Sequence, residues 1–501
     1  MDKAIDALLA RLSHGEQTVI KKEGASTYGV VGALARAYEK ARNALEYRAD
    51  HLVRRAAIER ILKRRVVFDK DPKNLAEHLL TELRWAKYLS PGEMKRINSQ
   101  SLQTILAKYT QALDNSVPSD WVTKVASAEI EEAFNLDSDY HQFTFFAFQY
   151  LRQKIEVKDE NIDLLLFYSV DKVYAGSDDE QVAYHMFKLA GTESGQAELE
   201  ETWKLFNLAN ESKLTPRINK FVRRQVPPLI LIRDIYFYDP NEFKSILLKQ
   251  SKFKNQAEEV LDVQLAQMSR RISTAVGRSI IYIFLTKMLL AIALEVPFEI
   301  LIYGSLGKLP LAINTVFPPF IMWLSTLQIK LPDQDEKEDL VSESWKIVKN
   351  FEATSEETEV LKEAQKQKLG VTQIIFSAFY SLTFIAVFGL IYIVLGKIGF
   401  TLASKVVFIF FLSIIAFFAY RINQIARVYL WKKGRESSSL TDMVSLPILT
   451  IGSRLSQGLS KLNFLAYTFD FILEAPFKLI LELIESWVQF LSIKKEQELI
   501  E

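Results

Sequence analysis

Residues 371–395 read VTQIIFSAFYSLTFIAVFGLIYIVL, 25 positions without a charge. A helix rises about 1.5 Å per residue, so about 20 residues cross a bilayer core of about 30 Å. A core helix of a water-soluble domain seldom needs so long an uncharged run. This stretch therefore sets the expected class, an all-α chain with a transmembrane domain.

Three further apolar blocks surround it. Val406–Tyr420, VVFIFFLSIIAFFAY, is bracketed by Lys405 and Arg421, which can snorkel outward. The link GKIGFTLASK has the length of a tight helical hairpin. Leu309–Leu327, LPLAINTVFPPFIMWLSTL, is also uncharged, but Pro318-Pro319 is expected to break its ladder of helical hydrogen bonds. A full span and a re-entrant segment both fit that block. Ser279–Tyr303, SIIYIFLTKMLLAIALEVPFEILIY, carries Lys287, Glu295 and Glu299 away from its middle, where snorkelling lowers their cost.

Lysine and arginine set the orientation. Arg270, Arg271, Arg278, Lys362, Lys366, Lys368, Arg421, Arg427, Lys432, Lys433 and Arg435 fall on one side of a four-span arrangement. Only Lys308, Lys397 and Lys405 fall on the other. The expectation is a polytopic protein of the cytoplasmic membrane with both termini in the cytoplasm.

One phrase occurs twice, LEVPFEILI at 294–302 and LEAPFKLIL at 473–481. Proline clashes with the carbonyl four residues earlier, so each copy marks a kink or a helix boundary. In the first, Pro297 can open a second helix, with Glu299 near its N-terminus, where a carboxylate is favoured. The match cannot be extended on either side, and a recurrent kink is its simplest explanation. Ionisable residues inside a membrane are functional candidates by default, so Lys287, Glu295, Glu299 and Asn314 form a candidate intramembrane polar site. The competing structural reading has Lys287 snorkel to one interface while both glutamates sit at the other.

The preceding 270 residues read as helical. The expected divisions are 1–115, a helical region with a long basic helix, and 116–270, a helical bundle. Two hairpins at 271–330 and 371–425 flank an acidic polar segment at 331–370. Amphipathic interfacial helices follow at 426–501. Val31, Tyr38, Leu45 and Leu52 recur every seven residues along Tyr28–Arg65, an apolar seam suited to a long packed helix. That helix ends in Arg54, Arg55, Arg60, Lys63, Arg64 and Arg65. These cations fit a helix C-terminus, and they also fit contact with anionic lipid headgroups. Asp71-Pro72 and Ser90-Pro91 mark helix starts, and further helices are expected near 140–156, 161–174, 178–190 and 196–210. Residues 333–369 read as disorder or a projecting polar helix, with Glu359–Lys368 running on into the following span. In Asn463–Ile493 the charges Asp470, Glu474, Lys478, Glu482 and Glu485 form one narrow stripe on a broad apolar helix. Such a helix lies in the headgroup interface or packs on the spans or a partner subunit.

Chemistry is sparse. Net charge is +1 with 25% charged residues, which argues against nucleic acid as a partner. Cysteine is absent, which removes disulfides, thiol catalysis and thiolate-bound metals. None of the five histidines, His14, His51, His78, His141 and His185, has a partner at ligand spacing along the chain, so no metal site and no cofactor are expected. No nucleophile elbow, Walker A loop or kinase signature is present.

YEKARNALEYRADHLVRRAAIERILKRR at 38–65, FPPFIMW at 317–323 and FDFILEAPFK at 469–478 resemble an uncharacterised family of bacterial polytopic integral membrane proteins. The resemblance implies a membrane location and nothing about activity. The expected partners are the lipid bilayer, a second copy of the chain or a cytosolic protein. The expected role is non-enzymatic, a membrane-anchored scaffold acting through its cytosolic helices. An ion or small-solute channel or transporter using the first hairpin is the alternative.

Overall fold

The computed structural model describes residues 3–12, 53–86, 88–89, 99–113, 117–134, 138–190, 196–290, 296–303, 308–326, 331–350, 359–360, 371–426, 428–429 and 450. Its architecture is all-α apart from one two-residue parallel pairing, Ile155–Glu156 with Glu359–Val360. The chain forms two compact units, one carried mostly by 6–223 and one by 224–351 and 364–463. The two units divide at residue 223, and one helix runs unbroken from Gln250 to Leu290.

The N-terminal unit contains α1 (Lys3–Arg11), α2 (Val53–Val66), α3 (Pro72–Trp85), α4 (Ser99–Thr110), α5 (Ser119–Phe134) and α6 (Ser138–Gln153). After β1 (Ile155–Glu156) come α7 (Ile162–Val170), a π-helical turn at Asp171–Ala175, α8 (Asp179–Ala190), α9 (Gln196–Glu211) and α10 (Thr215–Gln225). The four expected helices between 140 and 210 are present. Asp71 caps α3, with Pro72 at its first position, where the missing N–H would have no partner in any case. α2 packs on α3 and α5, and α5 packs on α8. Ile58, Ile61 and Leu62 of α2 are buried, as are Leu75, Leu79 and Leu83 of α3 and Val122, Val125 and Ala126 of α5. These are the i, i+3, i+4 positions of core-facing stripes. The heptad seam before Val53 and the Ser90-Pro91 start lie outside the described residues.

The second unit contains α11 (Pro227–Tyr238), α12 (Phe243–Leu248), α13 (Gln250–Leu290), α14 (Val296–Tyr303), α15 (Lys308–Thr326), α16 (Gln334–Lys349), α17 (Val371–Lys397) and α18 (Leu402–Ala426). α13, α15 and α18 pack mutually around Ile283, Met322, Phe411, Ile415 and Ile422. Pro297 lies in the first turn of the described part of α14, and the residues before Val296 lie outside the described residues.

Three expectations need correction. Pro318 and Pro319 lie within α15, which continues through them. The hydrogen bonds they forfeit are offset by packing of the flanking Phe317, Ile321 and Met322. Residues 334–349 neither project nor lack structure. Asp333 and Glu336 form a reciprocal capping box, and Leu340, Val341, Ile347 and Val348 bury α16 against α11 and α13. Glu359 and Val360 form β2 rather than the start of a helix, because their backbone pairs with β1. Residues 361–370 and the amphipathic stretch 463–493 lie outside the described residues.

The α17–α18 turn is built locally. Gly399 adopts φ +92°, its N–H donates to the Gly396 carbonyl at 3.1 Å, and the Phe400 N–H donates to the Leu395 carbonyl at 3.0 Å. This pair of bonds closes the helix C-terminus, and Phe400 packs back on Leu395 and Phe408. Among the residues whose side chains are described, no helix is long and apolar enough to cross a membrane.

Candidate functional site

Three of the four sequence-selected polar residues are buried in the second unit. Lys287 and Asn314 have no exposed surface and Glu299 has 2%. Glu295 lies outside the described residues. The Lys287 ammonium sits 5.1 Å from the centre of the Phe411 ring, a cation–π contact between α13 and α18. One Glu299 carboxylate oxygen accepts from the Ser404 hydroxyl at 3.0 Å and the Thr401 hydroxyl at 3.3 Å. Thr401 Oγ1 in turn accepts the Ser404 N–H at 3.3 Å, which caps α18. Glu299 therefore sits at the N-terminus of α18, where the helix dipole favours an anion. Lys287 and Glu299 are both enclosed by protein rather than exposed at its surface.

The outward faces of the same helices are apolar. Ser279, Ile283 and Lys287 of α13 point inward at four-residue spacing, while Ile281, Phe284, Leu285 and Met288 are exposed. On α14, Glu299 is buried and its neighbours Ile300, Leu301 and Ile302 are exposed, Leu301 at 84%. On α15, Asn314 is buried, whereas Val316, Phe320 and Trp323 are exposed. Around an apolar core, these helices bury single polar groups and expose large apolar side chains, unlike a usual water-facing surface.

The basic cluster of α2 is also placed. Arg55 is completely buried and bridges Glu59 at 2.6 Å, Asp178 at 2.6 Å and Glu180 at 3.6 Å. Arg54 binds both oxygens of Glu131, at 2.8 and 2.9 Å. Arg64 is buried against Glu82, and Arg65 reaches the same carboxylate. Lys63 joins Glu59 at 2.7 Å to Asp120 at 2.5 Å. Arg55 and Arg64 are thus not lipid-headgroup contacts. Their charge is used inside the bundle, where acids on α2, α3, α5 and α8 meet it.

A second constellation, which no local spacing announced, lies in the N-terminal unit. Glu132 of α5, His141 of α6 and His185 of α8 converge, and their donor atoms all lie within 4.8 Å of one another. Glu132 Oε2 is 3.3 Å from His141 Nε2 and 3.2 Å from His185 Nε2. His185 Nδ1 faces Asp171 Oδ2 at 2.7 Å, and the other Asp171 oxygen accepts from the Ser177 hydroxyl at 2.8 Å. Asp171 opens the π-helical turn, whose end, Gly176, turns back with φ 73°. The Tyr140 hydroxyl donates to the Ala175 carbonyl at 3.1 Å, tying the start of α6 to that turn. Burial opposes a charged His185, but Asp171 and Glu132 outweigh it and push its pKa up to about 10. Burial likewise raises Glu132, and the two histidines with Lys188 more than reverse that, holding it below the usual carboxylate range.

No known protein family, curated protein or solved structure matches the chain.

Proposed function

We propose that this chain is a polytopic protein of the cytoplasmic membrane. Its second unit is embedded in lipid, and its N-terminal helical unit serves as a membrane-anchored scaffold. The observation that carries the reading is the large apolar outward face of α13, α14 and α15 beside their buried polar groups. A face of Phe284, Leu285, Met288, Leu301 and Trp323 is costly in water and favourable against lipid tails. Lys287, Glu299 and Asn314 turned inward satisfy the opposite requirement, since polar groups in a bilayer face the bundle interior. The lysines and arginines flanking the spans support a cytoplasmic N-terminal unit.

Nitroxide labels at Leu285, Leu301 and Trp323 in reconstituted protein test the embedding. Lipid-facing positions are relaxed by oxygen and shielded from an aqueous nickel chelate. High chelate access at all three would remove the membrane reading. The scaffold role is tested by photo-crosslinking in cells from Phe68 and Leu189, which are exposed apolar positions of the N-terminal unit. A discrete adduct, with a second copy or another protein, is expected; no adduct from either position counts against a scaffold.

Buried Lys287, Glu299 and Asn314 favour a second reading, an ion or small-solute path through the second unit. Vesicles carrying the protein then show flux under an ion or pH gradient that Lys287→Met alters. Wild-type vesicles as tight as empty ones would end that reading.

A further inference from the structure

We infer that Glu132, His141 and His185 form a binding site for one divalent transition-metal ion of the zinc class. The donor set is two imidazole nitrogens and one carboxylate oxygen, the combination that such ions take readily. Bonds of about 2.0–2.2 Å arranged tetrahedrally put neighbouring donors about 3.3–3.5 Å apart. Glu132 Oε2 lies 3.3 Å from His141 Nε2 and 3.2 Å from His185 Nε2, so two edges of that tetrahedron already exist.

The surroundings orient the donors for ligation. A carboxylate can only accept, so Asp171 opposite His185 Nδ1 keeps a proton there, and Nε2 is the nitrogen left to bind a metal that displaces its proton. Carboxylate–histidine–metal arrangements use this device to orient a ligand and raise its basicity. Asp171 is itself held by Ser177 and by the π-helical turn, a local distortion that occurs often at functional sites. Lys188 pairs with the other oxygen, Glu132 Oε1, and leaves Oε2 to the histidines. Oε2 is buried with the two imidazole Nε2 atoms as its neighbours, which suits an atom shared with a cation. The His141 side chain is 37% exposed and provides the entry side. Three protein ligands leave a fourth position for water or a small ligand.

The alternative occupants are protons, with both imidazoles paired to Glu132 as cations. Titration of the full-length protein, purified in detergent without a histidine tag, separates the two. Co2+ should give the visible d–d absorption of a low-symmetry nitrogen–oxygen site, saturating at one ion per chain and displaced by Zn2+. His141→Ala, at the most exposed ligand, should weaken binding at least about 100-fold. Asp171→Asn, nearly isosteric, should weaken it about 10–100-fold. His78→Ala, outside the cluster, should leave it unchanged. Circular dichroism checks that each variant is folded. The proposal is overturned if folded His141→Ala binds Co2+ as tightly as wild type, or if wild type shows no saturable absorption.

Discussion

Arg55 carries the largest charge-related commitment in the N-terminal unit. It has no exposed surface and faces Glu59, Asp178 and Glu180. Removing one partner of a buried ion pair leaves uncompensated charge and costs roughly 3–5 kcal/mol. Arg55→Met should therefore lower the unfolding free energy of the full chain by about that amount, read by denaturant titration. Adding Glu59→Gln should restore part of it, and strict additivity of the two losses would argue against the pairing. The same cluster sets a pH response. Burial raises Glu59, but Lys63 and Arg55 outweigh it and hold the carboxyl at about 2, down from 4.5. A folded pKa below the unfolded one gives stability that is present above about 4.5 and lost as the pH falls through about 2. Asp178 acts in the opposite sense. Burial, opposed by Arg55 and aided by Glu180, raises it to about 6 from 3.8, so its cost is relieved as the pH falls through that window. The stability difference between wild type and Glu59→Gln should thus shrink toward zero below about pH 4.5, and a flat difference would contradict the assignment.

Among the elements, the α17–α18 turn is the most exacting. Gly399 at φ +92° occupies a backbone region that an L side chain enters at roughly 1–2 kcal/mol. Gly399→Ala should lower the thermal midpoint even though nothing lies within 4 Å of the added methyl. Gly277 lies inside α13, also with nothing within 4 Å, so Gly277→Ala should raise the midpoint by the helix-propensity gain of roughly 0.5–1 kcal/mol. Opposite signs from the same chemical change would show that backbone conformation, not crowding, decides both.

At the scale of the whole molecule, the exposed apolar face of the second unit has one bulk consequence. A chain held only by surface charge leaves the membrane in alkaline carbonate or high salt, whereas one with lipid-facing helices stays until detergent is added. The full-length protein should remain in the membrane pellet through both washes. Recovery in the carbonate supernatant would oppose an embedded second unit. Within that unit, the Tyr429 hydroxyl donates to Asp234, joining residues 195 apart in sequence. Tyr429→Phe should cost roughly 1.5–3 kcal/mol, the range for a hydrogen bond to a charged group, measured as a fall in the detergent-solubilised midpoint.

The sequence by itself determined the helical class and several helix starts between residues 71 and 196, because apolar periodicity and the Asp71-Pro72 cap act over a few residues. It also singled out Lys287, Glu299 and Asn314, since a polar residue in an apolar run stands out without knowledge of its neighbours. Tertiary structure decided the rest. It turned those three groups inward, carried α15 through Pro318-Pro319, packed α16, and consumed Arg55 and Arg64 inside the bundle. It alone brought Glu132, His141 and His185 together from three helices. The physical reason is one of range: propensity and capping are written in adjacent residues, whereas ion pairing and donor geometry depend on which helix faces meet after the chain has folded.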